Sequence, residues 1–194
     1  MRMGKIVLIA GLLALFALVS AVSAETVITF DDLSGSSTLS DISYAGMSWD
    51  PQWFYWDGDQ SPAYVPHSGL ERIATHNYGG WFSFSHPVEF KGAWFSGNGE
   101  AATSCYFEGY NNNVLVGTSA SHTMTYNPTF LNAGFSGKVD KVNLVCDNYN
   151  FFAVDDITYE DEGTAVPEFP VAAVPAAMIV GLLGAVLVIR SRDN

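Results

Sequence analysis

The sequence predicts an all-β fold, a β-sandwich or jelly roll, for the central part of this 194-residue chain. Between residues 25 and 165, short runs of β-branched and aromatic residues alternate with clusters of Gly, Asn, Ser and Pro, a pattern typical of antiparallel strands. No stretch there keeps a helical period, so the helices that an α/β fold needs are missing. An aromatic fraction of 14% and a hydrophobic fraction of 48% indicate a folded domain rather than a disordered one.

The apolar runs and the turn residues between them place the individual strands. Turns are expected at 79–80, 97–99, 111–113 and 134–137, where Gly and Asn cluster. Strands are expected at about 26–30, 46–50, 71–75, 81–85, 88–96, 103–110, 114–118, 122–126, 129–133, 139–146 and 151–159.

The two cysteines, Cys105 and Cys146, both lie on the apolar side of their predicted strands. An even number of cysteines in an exported domain favours one disulfide, which would close a loop of about 40 residues. Two separate buried thiols are the alternative. The chain has no Cys-x-x-Cys pair and its histidines are scattered, which argues against a zinc site.

The first 24 residues have the three parts of a secretory signal peptide. Arg2 and Lys5 are followed by an apolar run over 6–19 and by small residues that end at Ala24, where we expect cleavage. A retained N-terminal anchor is the alternative, although the apolar run is short for a hydrocarbon layer of about 30 Å.

Residues 171–189 carry no charge, and a helix of that length spans a bilayer core. Arg190 and Arg192 follow at once, so we expect 190–194 to be a basic cytoplasmic tail. The predicted organisation is therefore a signal peptide at 1–24, a β-sandwich ectodomain at 25–160, a linker at 161–170 and a transmembrane helix at 171–189.

The linker contains Pro167, Glu168 and Phe169, and one further residue separates this triplet from the apolar span. This triplet, one helix and a short basic end together resemble the PEF-CTERM sorting tail of archaeal surface proteins, a relative of the bacterial PEP-CTERM signal. The resemblance implies recognition by an archaeosortase-type membrane transpeptidase, cleavage near the triplet and transfer of the ectodomain to a surface acceptor such as a lipid. It places the domain on the extracellular face of the plasma membrane. A plain single-pass anchor is the alternative.

The ectodomain is strongly acidic. Residues 25–166 contain 18 acidic residues against four basic ones, a net charge of −14. Such a surface repels phosphate backbones, so nucleic-acid binding is excluded, whereas cations or neutral sugars are suitable ligands.

Recurring motifs run through residues 80–159. They are Phe-Ser-Phe at 82–84, Pro-Val at 87–88, Phe-Ser-Gly at 95–97, Gly-Tyr at 109–110, Phe-Ser-Gly again at 135–137 and Phe-Ala-Val-Asp-Asp-Ile at 152–157. In this order they resemble the jelly-roll ectodomains common among sorted surface proteins, which implies a galactose-binding-like β-sandwich, the architecture of many carbohydrate-binding modules.

Paired aspartates stand at the end of the first predicted strand, Asp31 with Asp32, and within the last, Asp155 with Asp156. Neighbouring first and last strands would gather these four carboxylates, and a hard cation such as Ca²⁺ would relieve their repulsion. The sequence therefore offers a structural Ca²⁺ site, with solvated acids at strand ends as the alternative.

Residues 49–56 hold five aromatic side chains in an apparently irregular stretch. Trp53, Tyr55 and Trp56, with Asp57, could form an exposed platform on which a pyranose ring stacks. The alternative is a loop whose rings are buried over the end of the sandwich.

No catalytic motif stands out, since the sequence contains neither a Gly-x-Ser-x-Gly elbow nor a P-loop. The leading interpretation is a non-catalytic surface protein with a structural or adhesive role in the envelope. A carbohydrate-binding module that contacts surface polysaccharide is the second, and a surface glycosidase or lyase the third.

Overall fold

The computed structural model describes residues 24–99, 103–149 and 151–161. Residues 1–23 of the predicted signal peptide, the sorting triplet Pro167, Glu168 and Phe169, and the predicted transmembrane helix lie outside these residues. Within them, no helix is both long and apolar enough to cross a membrane.

The described residues form twelve strands and two single-turn helices, so the all-β prediction is confirmed. The helices are α1, Leu39–Ile42, and a 3₁₀ turn at Tyr44–Gly46. The strands are β1 Ala24–Ile28, β2 Ser36–Thr38, β3 Ser48–Trp49, β4 Trp53–Trp56, β5 Arg72–Thr75, β6 Gly79–Gly97, β7 Ser104–Asn111, β8 Val114–Thr118, β9 His122–Thr123, β10 Thr129–Asn132, β11 Val139–Cys146 and β12 Phe152–Asp161.

All strand pairs are antiparallel, in the order β2-β4-β5-β12-β6-β11-β7-β8. Strand β6 is shared by the two layers of a β-sandwich. Its first half pairs with β3 and β11, and its second half pairs with β12 and β10.

The sequence predicted two strands, 81–85 and 88–96, where the structure has the single strand β6. Pro87 lies where β6 exchanges its partners, because Val88 is the last residue paired with β11 and Glu89 the first paired with β12. Proline donates no N–H to a ladder, so it is tolerated at this change of partner without ending the strand.

The first and last strands are neighbours, as the sequence predicted. Strand β1 pairs with β12 over its full length, with Ile28 opposite Ile157. This pairing brings the two aspartate pairs to the same end of the domain.

The core lies between the two layers and is rich in aromatic rings. Trp49, Trp53 and Phe82 pack edge to face or tilted, with ring centroids 5.5–6.4 Å apart. Such pairs add to the stability that the buried apolar area provides.

The predicted disulfide is present. Cys105 of β7 and Cys146 of β11 are directly opposite in register, and their sulfur atoms are 2.05 Å apart. Both side chains are buried, so the bond joins two central strands from inside the core.

Candidate functional site

Residues 57–70, between β4 and β5, form a segment that we call the strap. It lies against β6 and β12: the backbone N–H of Tyr64 donates to the carbonyl oxygen of Gly97, and the ring of His67 stacks on Trp94 at a centroid distance of 3.5 Å. The strap therefore covers part of the sheet that would otherwise face solvent.

A buried carboxylate holds the C-terminal part of the strap. Asp155 of β12 is only 3% exposed, and its Oδ2 accepts hydrogen bonds from the backbone N–H groups of His67 (2.7 Å) and Ser68 (2.9 Å). Its Oδ1 accepts a third bond from the backbone N–H of Asp156. The first two of these bonds fix backbone N–H groups of the strap on β12.

Arg72 of β5 binds the strap near both of its ends. Its guanidinium donates hydrogen bonds to the carbonyl oxygens of Leu70 and Gly58, and it lies 4.7 Å from the centre of the Trp56 ring. Arg72 is 3% exposed, and burial lowers its pKa. The two carbonyl groups and the aromatic ring stabilise its buried guanidinium cation.

The acidic cluster comprises Asp31, Asp155 and Asp156, which meet around the strap residue Ser68. The hydroxyl of Ser68 donates to Asp156 Oδ1 at 2.8 Å and reaches Asp31 Oδ2 at 3.3 Å. His67 Nδ1 lies 2.5 Å from Asp156 Oδ2. Three of the four predicted calcium ligands are therefore brought together.

The fourth predicted ligand, Asp32, is directed elsewhere. Its Oδ1 accepts a hydrogen bond of 2.5 Å from the hydroxyl of Tyr44, and burial together with this bond raises the pKa of Tyr44. Asp32 thus ties the 3₁₀ turn to the residues that follow β1.

Burial is the largest influence on the carboxyl group of Asp155. It raises the pKa of Asp155 to about 7, and the neighbouring charge of Asp156 acts in the same direction, against the three N–H donors that lower it. Among the described residues, no group of three or more His, Cys, Asp or Glu side chains is arranged to hold a metal ion. Oxygen ligands of the kind that Ca²⁺ accepts are nevertheless present around Ser68.

The predicted aromatic platform is wrong for two of its members. Trp53 is fully buried and Tyr55 is 8% exposed, because β4 is a regular strand whose alternate side chains enter the core. Trp53 donates its indole N–H to the carbonyl oxygen of Trp81. Neither ring can stack on a ligand from solvent.

Trp56 points to the opposite side of β4 and lines a cleft of about 400 Å³. Its ring centre is 5.3 Å from that of Phe54, which also lines the cleft. Asp57 is exposed at the start of the strap, where its carboxylate accepts a bond from the backbone N–H of Gly35. The cleft is lined by Phe54, Trp56, Gln60, Tyr64, Tyr149, Phe151 and Phe152.

The other lining residues were not identified from the sequence. Gln60 and Tyr64 belong to the strap, whereas Tyr149 and Phe151 come from the segment between β11 and β12. They are far apart in the chain, and Gly97 of β6 brings the two segments together, because its carbonyl oxygen accepts from the Tyr64 N–H and it pairs with Phe152. Exposure of Tyr149 (46%) and Phe151 (38%) places two aromatic rings at the rim of the cleft.

No protein-family model matches the chain, and no curated protein matches it significantly. Distant likenesses to solved structures exist. A DUF4465-family protein from Bacteroides caccae has a TM-score of 0.40 and 10% identity, over 74% of this chain and 95% of that one. The carbohydrate-binding module TmCBM61, solved with β-1,4-galactotriose, has 0.38 and 11%, over 64% and 93%.

A third solved structure holds the CBM51-2 and INT domains of ZmpB from Clostridium perfringens. Its TM-score is 0.34 at 14% identity, over 75% of this chain and 39% of that one. TM-scores below 0.5 at such identities assign no function to the present chain.

Proposed function

We propose that this protein is a non-catalytic surface protein that binds neutral sugars in the cleft beside the strap. The observation that carries the proposal is the composition of that cleft. Six of its seven lining residues are aromatic, and the seventh is Gln60. The galactose-binding-like jelly roll inferred from the sequence motifs is the fold that we propose for it.

The chemistry of the cleft suits a pyranose ring. The apolar face of a sugar packs on aromatic rings, while amide and phenol groups bond its hydroxyls. Tyr149 and Phe151 offer exposed ring surface, and Gln60 and Tyr64 offer polar groups on the strap. A volume of about 400 Å³ lies within the range of small-ligand sites.

Affinity electrophoresis through gels containing soluble galactan, mannan or xylan tests this proposal. We expect at least one polymer to retard the ectodomain, and Tyr149→Ala to raise the dissociation constant about tenfold, since an aromatic contact contributes on the order of 1 kcal/mol or more. Tyr126→Ala is the matched control, because Tyr126 is also exposed, at 37%, and does not line the cleft. If the polymer retards Tyr149→Ala and Tyr126→Ala equally, sugar binding in the cleft is refuted.

We further propose that Ca²⁺ supports the strap by binding at the acidic cluster. Two carboxylates, Asp31 and Asp156, bond the hydroxyl of Ser68 there and a third, Asp155, bonds its backbone N–H, and a divalent cation would offset their repulsion. The melting temperature of the native domain is then higher in CaCl₂ than in EDTA, and MgCl₂ has a smaller effect. Asp156→Asn should abolish this shift while the exposed control Asp41→Asn keeps it. A melting temperature unaffected by Ca²⁺ would dispose of the proposal.

For the whole chain we propose export, sorting through the PEF-CTERM-like tail by an archaeosortase-type transpeptidase, and display on the cell surface. The support is the order of the triplet 167–169, the apolar span 171–189 and the two arginines in the sequence. Mass spectrometry of the mature protein from its native host should find a chain that begins at Glu25 and ends near the triplet, with an added acceptor. A full-length chain would contradict the processing.

A further inference from the structure

A second surface of the domain combines aromatic and polar side chains on the side of the sheet away from the core. Strands β6, β7 and β11 alternate there between buried residues and half-buried residues. Because successive side chains of a strand point to opposite faces, the half-buried set shares the outer side. From this set we take six larger or polar side chains and call them the outer face: Trp81, Tyr106, Glu108, Tyr110, Lys141 and Asn143.

The strand register arranges the outer face in rows. Asn143 of β11 is opposite Trp81 of β6 on one side and Glu108 of β7 on the other, so these three form one row across three strands. Lys141 is opposite Tyr110 in the next row. With strands about 4.8 Å apart, the row from Trp81 to Glu108 is roughly 10 Å long, enough for more than one pyranose ring.

The polar groups of the outer face are held in position. Glu108 Oε2 accepts hydrogen bonds from the Tyr110 hydroxyl (2.8 Å) and from Asn143 Nδ2 (3.2 Å). The bond from Tyr110 raises the pKa of that phenol, so Tyr110 stays protonated as the donor. Since both bonds end on Oε2, the carboxylate keeps acceptor capacity on Oε1 for another hydroxyl.

Lys141 supplies the matching donor. Its Nζ lies 4.8 Å from the centre of the Trp81 ring. Of the ion pairs between described residues, none includes Lys141, whereas Lys91 pairs with Glu89 and Glu160. The ammonium therefore rests on an aromatic ring in a domain whose surface is otherwise dominated by acids.

We propose that the outer face is a second binding site, for a neutral oligosaccharide chain that lies across β6, β11 and β7. Vicinal hydroxyls need a donor and an acceptor, and Lys141 on β11 and Glu108 on the neighbouring strand β7 provide one each. The sugar rings lie against Trp81 and the two tyrosines.

The charge of the outer face selects the ligand class. One ammonium and one carboxylate cancel, so the face carries no net charge. The domain around it carries −14 between residues 25 and 166, which disfavours uronate and sulfated polymers by repulsion. A neutral glycan meets no such barrier. This site stands apart from the cleft, because none of its six residues lines the cleft.

The test is affinity electrophoresis of the ectodomain against soluble galactan, mannan and xylan, with polygalacturonate as the acidic comparison. Glu108→Gln preserves the size of the side chain but removes the charged acceptor, and we expect it to raise the dissociation constant for a bound neutral polymer about tenfold. Glu89→Gln is the matched control, since Glu89 is exposed and lies outside the outer face. Trp81→Ala should weaken binding at least as much.

Each outcome decides between the two sites. Loss of binding in Glu108→Gln and Trp81→Ala, with Tyr149→Ala retaining part of it, supports the outer face. If the polymer retards both outer-face variants as strongly as the native domain, the outer-face proposal is overturned. If Tyr149→Ala alone then loses binding, the cleft is the sugar site. The outer-face proposal is also overturned if polygalacturonate is the only polymer that retards the native domain, or if no polymer retards it.

Discussion

At the scale of single residues, Asp155 is the side chain that organises the candidate site. Its carboxyl group is buried, yet its hydrogen bonds fix two backbone N–H groups of the strap. Burial disfavours the charged form, while N–H donors favour it. The net result is a pKa raised from the ordinary 3.8 to about 7, so the group titrates near neutral pH.

This shift predicts a pH dependence of stability in EDTA. Between about pH 4 and pH 7 the folded chain holds the proton of Asp155 and the unfolded chain has released it. The free energy of unfolding therefore falls as the pH rises through this interval, by at most about 1.4 kcal/mol per pH unit from this group, and Asp155 adds no further change above it.

Asp155→Asn should make this decline shallower, whatever its effect on the absolute stability. Urea unfolding at half-unit steps from pH 4.5 to pH 7.5 measures the slope for the native domain and for the variant. Asp41→Asn, an exposed substitution on α1, should keep the native slope. Identical slopes in native and Asp155→Asn domains would show that Asp155 ionises normally.

The sequence did not show which aromatic side chains of residues 49–56 are buried. Trp53, Tyr55 and Trp56 are chemically alike as candidates, and only the face of β4 separates the two core rings from the one in the cleft. That face is set by the register of β4 with β5, which pairs Trp53 with Thr75. Four residues are too few for their alternation to be recognised beside a run of aromatic neighbours.

At the scale of elements, the disulfide between β7 and β11 is a covalent contribution to stability. The two cysteines are opposite each other on paired strands, and they are 41 residues apart in sequence. Closing a loop of this length restricts the unfolded chain, which stabilises the folded state by about 3–4 kcal/mol in the chain-entropy model.

Removal of both cysteines, as Cys105→Ala with Cys146→Ala, should lower the free energy of unfolding by about 3 kcal/mol or more, because two buried sulfur atoms are lost as well. Urea denaturation monitored by tryptophan fluorescence measures the difference. The native domain with reductant is the companion sample, and it should lose a similar amount. A loss below about 1 kcal/mol in both would mean that the cross-link adds little to the fold.

Strands in which apolar and polar residues alternate regularly could be predicted from the sequence, whereas the strap could not. Strand β11 was predicted with its observed bounds, since Val142, Leu144 and Cys146 alternate with polar residues. The strap has no such period: its place depends on Asp155 and Arg72, two buried charged residues that hydropathy assigns to the surface. The cleft follows from the strap, so the sequence could propose aromatic stacking but not the residues that surround it.

At the scale of the whole molecule, the excess of acid shapes what the domain can meet. The four basic residues of 25–166 include Arg72, which is buried under the strap, and Lys91, which is paired with two glutamates. The remaining carboxylates repel one another across the surface, and this repulsion opposes the compact state. Sugars and cations are the ligands that such a surface admits.

The same repulsion predicts that simple salt stabilises the domain. Raising NaCl from about 10 mM to about 150 mM shortens the Debye length from roughly 30 Å to roughly 8 Å, which screens distant acid pairs more than it weakens the few short ion pairs. In EDTA at pH 7.5 the melting temperature should therefore rise with NaCl. Asp41→Lys, which reduces the net negative charge by two, should show a smaller rise. A melting temperature that falls with salt in the native domain would mean that its ion pairs outweigh the acidic repulsion.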